Sequence, residues 1–330
     1  MEKIAFISGE ANVYWQSVAL VAAAAVAICF FLAFYLGKSG NAAAGFAVIP
    51  LSIALSMVLA RFFHWYSRTD SYSGFLSAMT DYSSGGYALT GVFLGCFLAA
   101  ALTRLARLSG SLPEMLDCMS IAGAAGICVG RLNSLFNSSD RGQVLANFKS
   151  LPFAYPVTNA VSGATEYRLA TFMLQAIVAL CLFITLALFY RKESESRKDG
   201  DTCVIFLMCY GASQAVLDST RYDSLFFRSN GFVSIVQVLG AIALVGGLVY
   251  FSMRLVKNKG FRFWYLPLWL LAAAALGGAG YMEYYVQRHG STALMSYSVM
   301  SLCLAFAAAI ALLIRKIAGV SEGKERNFVR

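Results

Sequence analysis

Apolar residues in this chain come in long runs rather than in alternation with polar ones. The runs lie near residues 13–36, 42–60, 87–108, 113–131, 168–190, 202–219, 232–254, 264–281 and 294–314. About 20 apolar residues in a helix span the roughly 30 Å hydrocarbon layer and satisfy their own backbone hydrogen bonds. The pattern therefore predicts an all-α polytopic membrane protein, a bundle of nine transmembrane helices. The first run is too long for a signal-peptide core, which predicts a retained helix. The fourth is rich in Gly and Ala over Ile121–Gly130, a surface suited to close helix packing. The sixth is short and carries polar residues, which places it inside the bundle.

The polar residues between the runs set the expected orientation. With the N-terminus outside, the inner loops hold Lys38, Arg104 and Arg107, then Arg191, Lys192, Arg197 and Lys198, then Arg254, Lys257, Lys259 and Arg262. The C-terminal tail adds Arg315, Lys316, Lys324, Arg326 and Arg330, so 16 of the 26 basic residues face inward. That bias predicts an outside N-terminus and a cytoplasmic C-terminus. Trp15, Trp65 and Trp264 stand near the expected interfaces, and residues 191–201, alternating in sign, read as a cytoplasmic turn.

Composition agrees. Of 330 residues, 59% are hydrophobic and only 13% charged, with a mean hydropathy of +0.66. Soluble domains run at roughly 25% charged. The net charge of +9 sits in short loops between apolar runs, which points to anionic lipid and not to nucleic acid. Eight cysteines without a CxxC pair, and two histidines, predict neither a metal site nor a disulfide framework.

Ionisable residues near membrane depth are costly and mark function. Two stretches stand out. One is Gly130-Arg131-Leu132-Asn133-Ser134-Leu135-Phe136-Asn137, closing the fourth run. The other is the sixth run, where Tyr210, Gln214, Asp218 and Arg221 recur at helical spacing as one polar stripe. Asp218 and Arg221 could pair and only hold helices together. Alternatively, Arg131 and Arg221 could converge on one phosphodiester, since a guanidinium fork donates two parallel hydrogen bonds to phosphate.

From Tyr14 to Met253 these segments resemble, in order, the prolipoprotein diacylglyceryl transferase family. Tyr14-Trp15-Gln16 is similar to the start of the family's first helix, and Leu59-Ala60-Arg61-Phe62-Phe63-His64 to the Gly-Gly/Ala-Arg segment closing its second. Ser84-Gly85-Gly86-Tyr87-Ala88-Leu89-Thr90-Gly91 resembles its Gly-Gly-x-x-x-His-Gly stretch, and residues 130–137 its Gly-Arg-x-Gly-Asn-Phe-x-Asn signature. Tyr210 through Arg221 resembles its Tyr-Gly-x-x-Arg…Glu…Arg helix. The departures are Thr90 at the family's histidine, Gln214 at its sixth-helix arginine, Gln16 at a first-helix tyrosine, Asn133-Ser134 for Gly-Asn, and Ser139 at an acidic position.

The resemblance implies transfer of the diacylglyceryl group of phosphatidylglycerol, or a related anionic phospholipid, to the lipobox cysteine of a prolipoprotein signal peptide. It implies no cofactor and a multi-pass location in the bacterial inner membrane. On it, Arg131 and Arg221 hold the phosphate, Asn137 and Tyr210 orient the headgroup, and Arg61, Gly86, Gly91, Thr90 and Gln214 complete the substrate-binding set. Asp218 joins Arg131 among the catalytic residues. A threonine has no useful pKa near neutrality, so His64 is the expected replacement base, against the plainer reading of an interfacial histidine beside Trp65. Residues 1–255 form the family-like domain of seven spans, and 256–330 add two helices and a tail. There Gly277-Gly278-Ala279-Gly280 reads as packing surface, while Tyr281, Glu283, Tyr284, Tyr285 and His289 form an outward cluster. The alternative reading is an inactive or re-purposed lipid- or signal-peptide-binding protein on the same scaffold.

Overall fold

The computed structural model describes residues 4–8, 11–38, 41–80, 86–136, 140–145, 153–158, 163–192, 197–221, 224–227, 230–289 and 293–319. Among them the long apolar runs are helices: α1 (Trp15–Gly37), α2 (Ala42–Ser67), α4 (Leu89–Leu105), α5 (Leu112–Arg131), α6 (Thr171–Lys192), α7 (Asp201–Ser219), α8 (Ile235–Lys259), α9 (Leu266–His289) and α10 (Ala293–Gly319). A short helix α3 (Phe75–Thr80) falls between α2 and α4. All but α3 and α4 are long and apolar enough to cross a membrane, eight spans among the described residues. At 17 residues α4 is shorter than expected. Its 1.5 Å rise per residue gives roughly 26 Å, close to the hydrocarbon thickness. The chain turns away at Arg107, whose φ of 57° no helix continues. The fold is that of an all-α polytopic membrane protein.

Among the described residues there are three antiparallel hairpins: β1 (Ile4–Ser8) with β2 (Ala11–Tyr14) ahead of α1, β3 (Ala154–Thr158) with β4 (Thr165–Leu169) between α5 and α6, and β5 (Phe226–Phe227) with β6 (Asn230–Ser234) between α7 and α8. The apolar pattern gave no sign of them, because segments of two to five residues are too short for a period to register.

The chain divides into two compact units, Met1–Phe183 with Thr220–Ile235, and Ile184–Ser219 with Val236–Arg330. In the first, glycines bring helices together. A Cβ on Gly91 would lie 2.3 Å from the backbone of Leu59 and Ala60, and one on Gly95 would lie 2.5 Å from that of Ser56, so α4 rests directly on α2. Gly126 of α5 meets α1 in the same way, its Cβ position 2.9 Å from Ala27 Cβ. This is the small-residue packing read from Ile121–Gly130. Capping fixes the ends: Asn41 accepts from Ala43 N–H at the start of α2, and Ser111 from Glu114 N–H at the start of α5, beside Pro113.

In the second unit α7 is the most enclosed span, with 56% of its apolar window buried against 11% for α1. Gly211 and Gly240 face each other across α7 and α8, each Cβ position within 2.8 Å of the other's carbonyl oxygen. Of the glycines in α9, Gly278 meets α10 at Cys303 Sγ, 3.3 Å from its Cβ position, while Gly277 and Gly280 have open space. The expected packing surface there narrows to Gly278 and the buried Ala279.

Candidate functional site

Arg131 is the last residue of α5, and its chain continues as a 3-10 turn over Leu132–Leu135. That turn buries Ser134. Asp140 follows in a left-handed backbone conformation, φ 56°, a region that Asp tolerates better than most residues because its short side chain bonds locally. The strained turn aims the carboxylate back at the helix end. Asp140 Oδ1 accepts from Arg131 Nη1 at 3.1 Å and pairs with Arg221 Nη2 at 2.6 Å, while Oδ2 accepts from Ser134 Oγ at 2.9 Å. Burial opposes the charge on this carboxyl. The guanidiniums of Arg131 and Arg221, with the Ser134 hydroxyl, outweigh burial and hold it below the ordinary carboxylate range.

The surrounding strand geometry holds the clamp. Arg221 bridges to Gly142, and Gly142 N–H donates to Leu169 O at 2.7 Å. A Cβ on Gly142 would come within 2.7 Å of Leu169 Cβ and Thr171 Oγ1, so no larger residue fits. Thr171 and Thr220 share a buried hydrogen bond of 3.1 Å. Arg141 turns the other way: Nη2 donates to Ser134 O at 2.6 Å, and its guanidinium lies 4.1 Å from the Tyr155 ring and 4.4 Å from that of Phe172.

A second cluster gathers the segment before α4 onto the end of α2. Fully buried Arg61 donates from Nε to Ala78 O at 2.5 Å and from Nη1 to Gly86 O at 3.1 Å. Its guanidinium sits 4.9 Å from the Tyr72 ring. His64 Nδ1 and Tyr72 Oη share a hydrogen bond of 2.8 Å. Gly86, at φ 84°, allows this closeness, since a Cβ there would lie 2.5 Å from His64 Cε1. Gly91 rests against Ala60, next to Arg61, and Thr90 stands half-buried in the first turn of α4. The Arg61 contacts described run to backbone carbonyls and aromatic rings, those of a loop organiser.

Tyr210, Gln214 and Asp218 are all buried on α7, as the stripe required. Arg221 is not part of that helix. The helix stops at Ser219, whose carbonyl accepts from Tyr297 Oη at 3.0 Å. Arg221 pairs with Asp140. Beside the stripe, Glu283 Oε2 accepts from Ser219 Oγ at 2.9 Å and its Oε1 from Gln237 and Gln287 at 3.1 Å each. Gln237 also donates to Ser219 Oγ. Glu283, expected in an outward cluster, is thus built into helix packing. At the other end of α7, Asp201 is fully buried and more than a turn residue. It accepts from Arg254 at 2.9 and 3.0 Å and from Arg315 at 3.2 Å.

The expected residues thus fall into groups: Arg131 with Arg221, Arg61 with His64, Gly86 and Gly91, and the α7 face. Asn137, Ser84, Gly85 and Ser139 lie outside the described residues, as does the His289 side chain. Sequence reasoning missed Asp140, Ser134 and Tyr72. The family's acid had been sought at Ser139, whereas Asp140, one residue later, carries the carboxylate to both arginines. An acid in the loop between two arginine-bearing segments was the available signal.

A family model described as prolipoprotein diacylglyceryl transferase matches residues 3–253. The phosphatidylglycerol–prolipoprotein diacylglyceryl transferase of Streptococcus pyogenes serotype M5 (strain Manfredo) is 22% identical over 264 residues, 79% of this chain and 98% of its own length. That of serotype M3 (strain ATCC BAA-595 / MGAS315) is 23% identical over the same coverage.

Proposed function

The chain belongs to the prolipoprotein diacylglyceryl transferase family, and from that premise we propose that it moves the diacylglyceryl group of phosphatidylglycerol onto the cysteine thiol of a prolipoprotein signal peptide. The observation that carries the reading is the meeting of Arg131 and Arg221 on one oxygen of Asp140. Two guanidiniums from distant parts of the chain are held at a helix end with a carboxylate setting their spacing. Two forked cations at one place suit a phosphate, whose charge grows as the ester bond breaks.

In the reaction the thiolate sulfur attacks the diacylglyceryl carbon that bears the phosphoester oxygen. The C–S bond forms, the C–O bond breaks, and glycerol phosphate leaves with the bonding electrons. Arg131 and Arg221 stabilise the leaving phosphate. The thiol must first lose its proton, because the neutral thiol is a poor nucleophile. His64 is assigned that proton in place of Thr90: with Nδ1 engaged by Tyr72, Nε2 is the nitrogen left for a thiol. Asn137 and Tyr210 stay in the substrate-binding set on their match to the family pattern, Asp218 in the catalytic set as a conservative match, and Gln214 on its position alone, where the family has arginine. The inner membrane, with the N-terminus and the Asp140 clamp on its outer side, follows from the basic-residue bias. Residues 1–255 carry the chemistry, and 256–330 are an addition to it.

Thr90 and Gln214 favour a second reading, a lipid- or signal-peptide-binding protein that has lost transfer. Purified protein, phosphatidylglycerol and a lipobox peptide decide between them. A thiol-linked diacylglyceryl product with glycerol phosphate release supports the transferase. Bound phosphatidylglycerol without product supports the binding protein.

A further inference from the structure

We propose that the amino-terminal end of α7 holds a second anion site, built for the phosphate of an anionic lipid headgroup or of a small phosphate ester. The site lies wholly within the second compact unit and at the opposite end of α7 from Ser219. It rests on charge and on unmet donors, independently of transfer activity.

Two guanidiniums hold one carboxylate, and a third comes from the segment just before α7. Arg254 from α8 and Arg315 from α10 both donate to Asp201. Lys198 N–H also points at Asp201 Oδ2, at 3.4 Å, which places its neighbour Arg197 beside the clamp. Arg197 stacks 3.6 Å from the Tyr190 ring and Arg315 stacks 4.3 Å from that of Phe189, two adjacent residues near the end of α6. Of the four side chains Arg197, Asp201, Arg254 and Arg315, three are positive and one is negative.

Arg197 is only 8% exposed, yet its Nε and Nη1 have no hydrogen-bond acceptor among the described residues. Arg254 Nε and the hydroxyl of fully buried Thr202 are in the same state. Buried donors without acceptors are costly, and a buried cation without a counter-charge more so. The first N–H groups of α7 add a favourable field for an anion. Forked guanidiniums beside a helix start, with apolar spans on either side, match a phosphate better than a carboxylate, which one fork already satisfies.

The test uses the full chain in a neutral detergent, with inorganic phosphate and dioleoyl phosphatidylglycerol as probes. Bound mass is read by native mass spectrometry and affinity by the rise in melting temperature. We expect Arg197→Gln to weaken probe binding about tenfold, the scale of one charge-assisted contact. In Arg131→Gln protein, one bound anion should persist and then be lost when Arg197→Gln is added. Binding of both probes supports a small phosphate ester, and binding of the lipid alone supports a headgroup. Unchanged binding of both probes in Arg197→Gln overturns the site. Should Arg197→Gln not fold, the comparison of wild type with Arg131→Gln still decides. Retention of an anion supports a second site, and loss of all bound anion overturns it.

Discussion

Arg221 Nη2 stands 2.6 Å from Asp140 Oδ1, so a residue just past the end of α7 is tied to the loop that follows α5. The same oxygen takes Arg131. If the pair holds the leaving phosphate, Arg131→Ala or Arg221→Ala should each lower kcat/KM by about 100-fold or more, the cost of removing one donor to a developing oxyanion. Arg131→Lys should recover only part of it, because an ammonium lacks the fork. Glycerol phosphate release under single-turnover conditions measures this. Full activity in either alanine variant would remove the clamp from the mechanism.

Asp140 also predicts a pH dependence. Its carboxyl is held below the ordinary value by two guanidiniums that outweigh its burial. A group depressed on folding stabilises the fold fully above its unfolded pKa of about 4, and that contribution fades as the pH falls through the lower folded value. Melting temperature should therefore drop on acidification below about pH 4. Asp140→Asn should cost about 3 kcal/mol at neutral pH by removing the carboxylate that the two arginines share, and should flatten the acid limb. A thermal melt series from pH 7 downward reads both effects.

Helix contact predicts a contrast between glycines. Gly91→Ala places a methyl 2.3 Å from the backbone of α2, which the helices can relieve only by separating. The expected loss is about 2–3 kcal/mol, seen as a lower unfolding midpoint. Gly246→Ala on α8 has nothing within 4 Å. It should be neutral or raise stability by up to about 1 kcal/mol through helix propensity. Equal effects would mean that α4 does not need its close approach to α2.

Glu283 is held by three neutral donors, from Ser219, Gln237 and Gln287. Glu283→Ala should destabilise by about 1–3 kcal/mol, chiefly through the stranded amide of buried Gln237. Glu283→Gln, which keeps an acceptor, should cost less. Differential scanning fluorimetry of the two variants checks the order, and a reversed order would mean that the carboxylate is repelled where it sits.

Restoring the family pattern gives a gain-of-function prediction. Thr90→His together with Gln214→Arg should raise transfer at least about tenfold if proton transfer limits the parent enzyme. A parent without activity that stays inactive in the double variant would point to the binding-protein reading.

The helices were legible because a membrane span needs a long apolar run: each of the nine runs is a helix, although α2 continues seven residues and α9 eight residues past the end of its run. The end of α4 was less so: nothing in Arg104-Leu105-Ala106-Arg107 announces the positive φ at Arg107 that stops it. The site was legible in part. Arg131 and Arg221 stood out as cations near membrane depth, but their meeting point could not be read from spacing, since Asp140 reaches them through a turn without periodicity. Arg221 looked helical because it continues the spacing of Tyr210, Gln214 and Asp218, whereas tertiary contacts of Ser219 and Thr220 end the helix first. Asp201 passed for a turn residue because its partners come from α8 and α10, far along the chain.

The left-handed turn at Asp140 restricts which residues can follow one another there over evolutionary time. Glycine and asparagine accept the backbone but bring no charge, and glutamate brings the charge but does not suit the backbone. Aspartate alone meets both demands, and its short side chain fixes how far the charge can reach. The two arginines must therefore come to the loop, which makes the placement of α5's last residue and of the segment after α7 the variables that tune this centre.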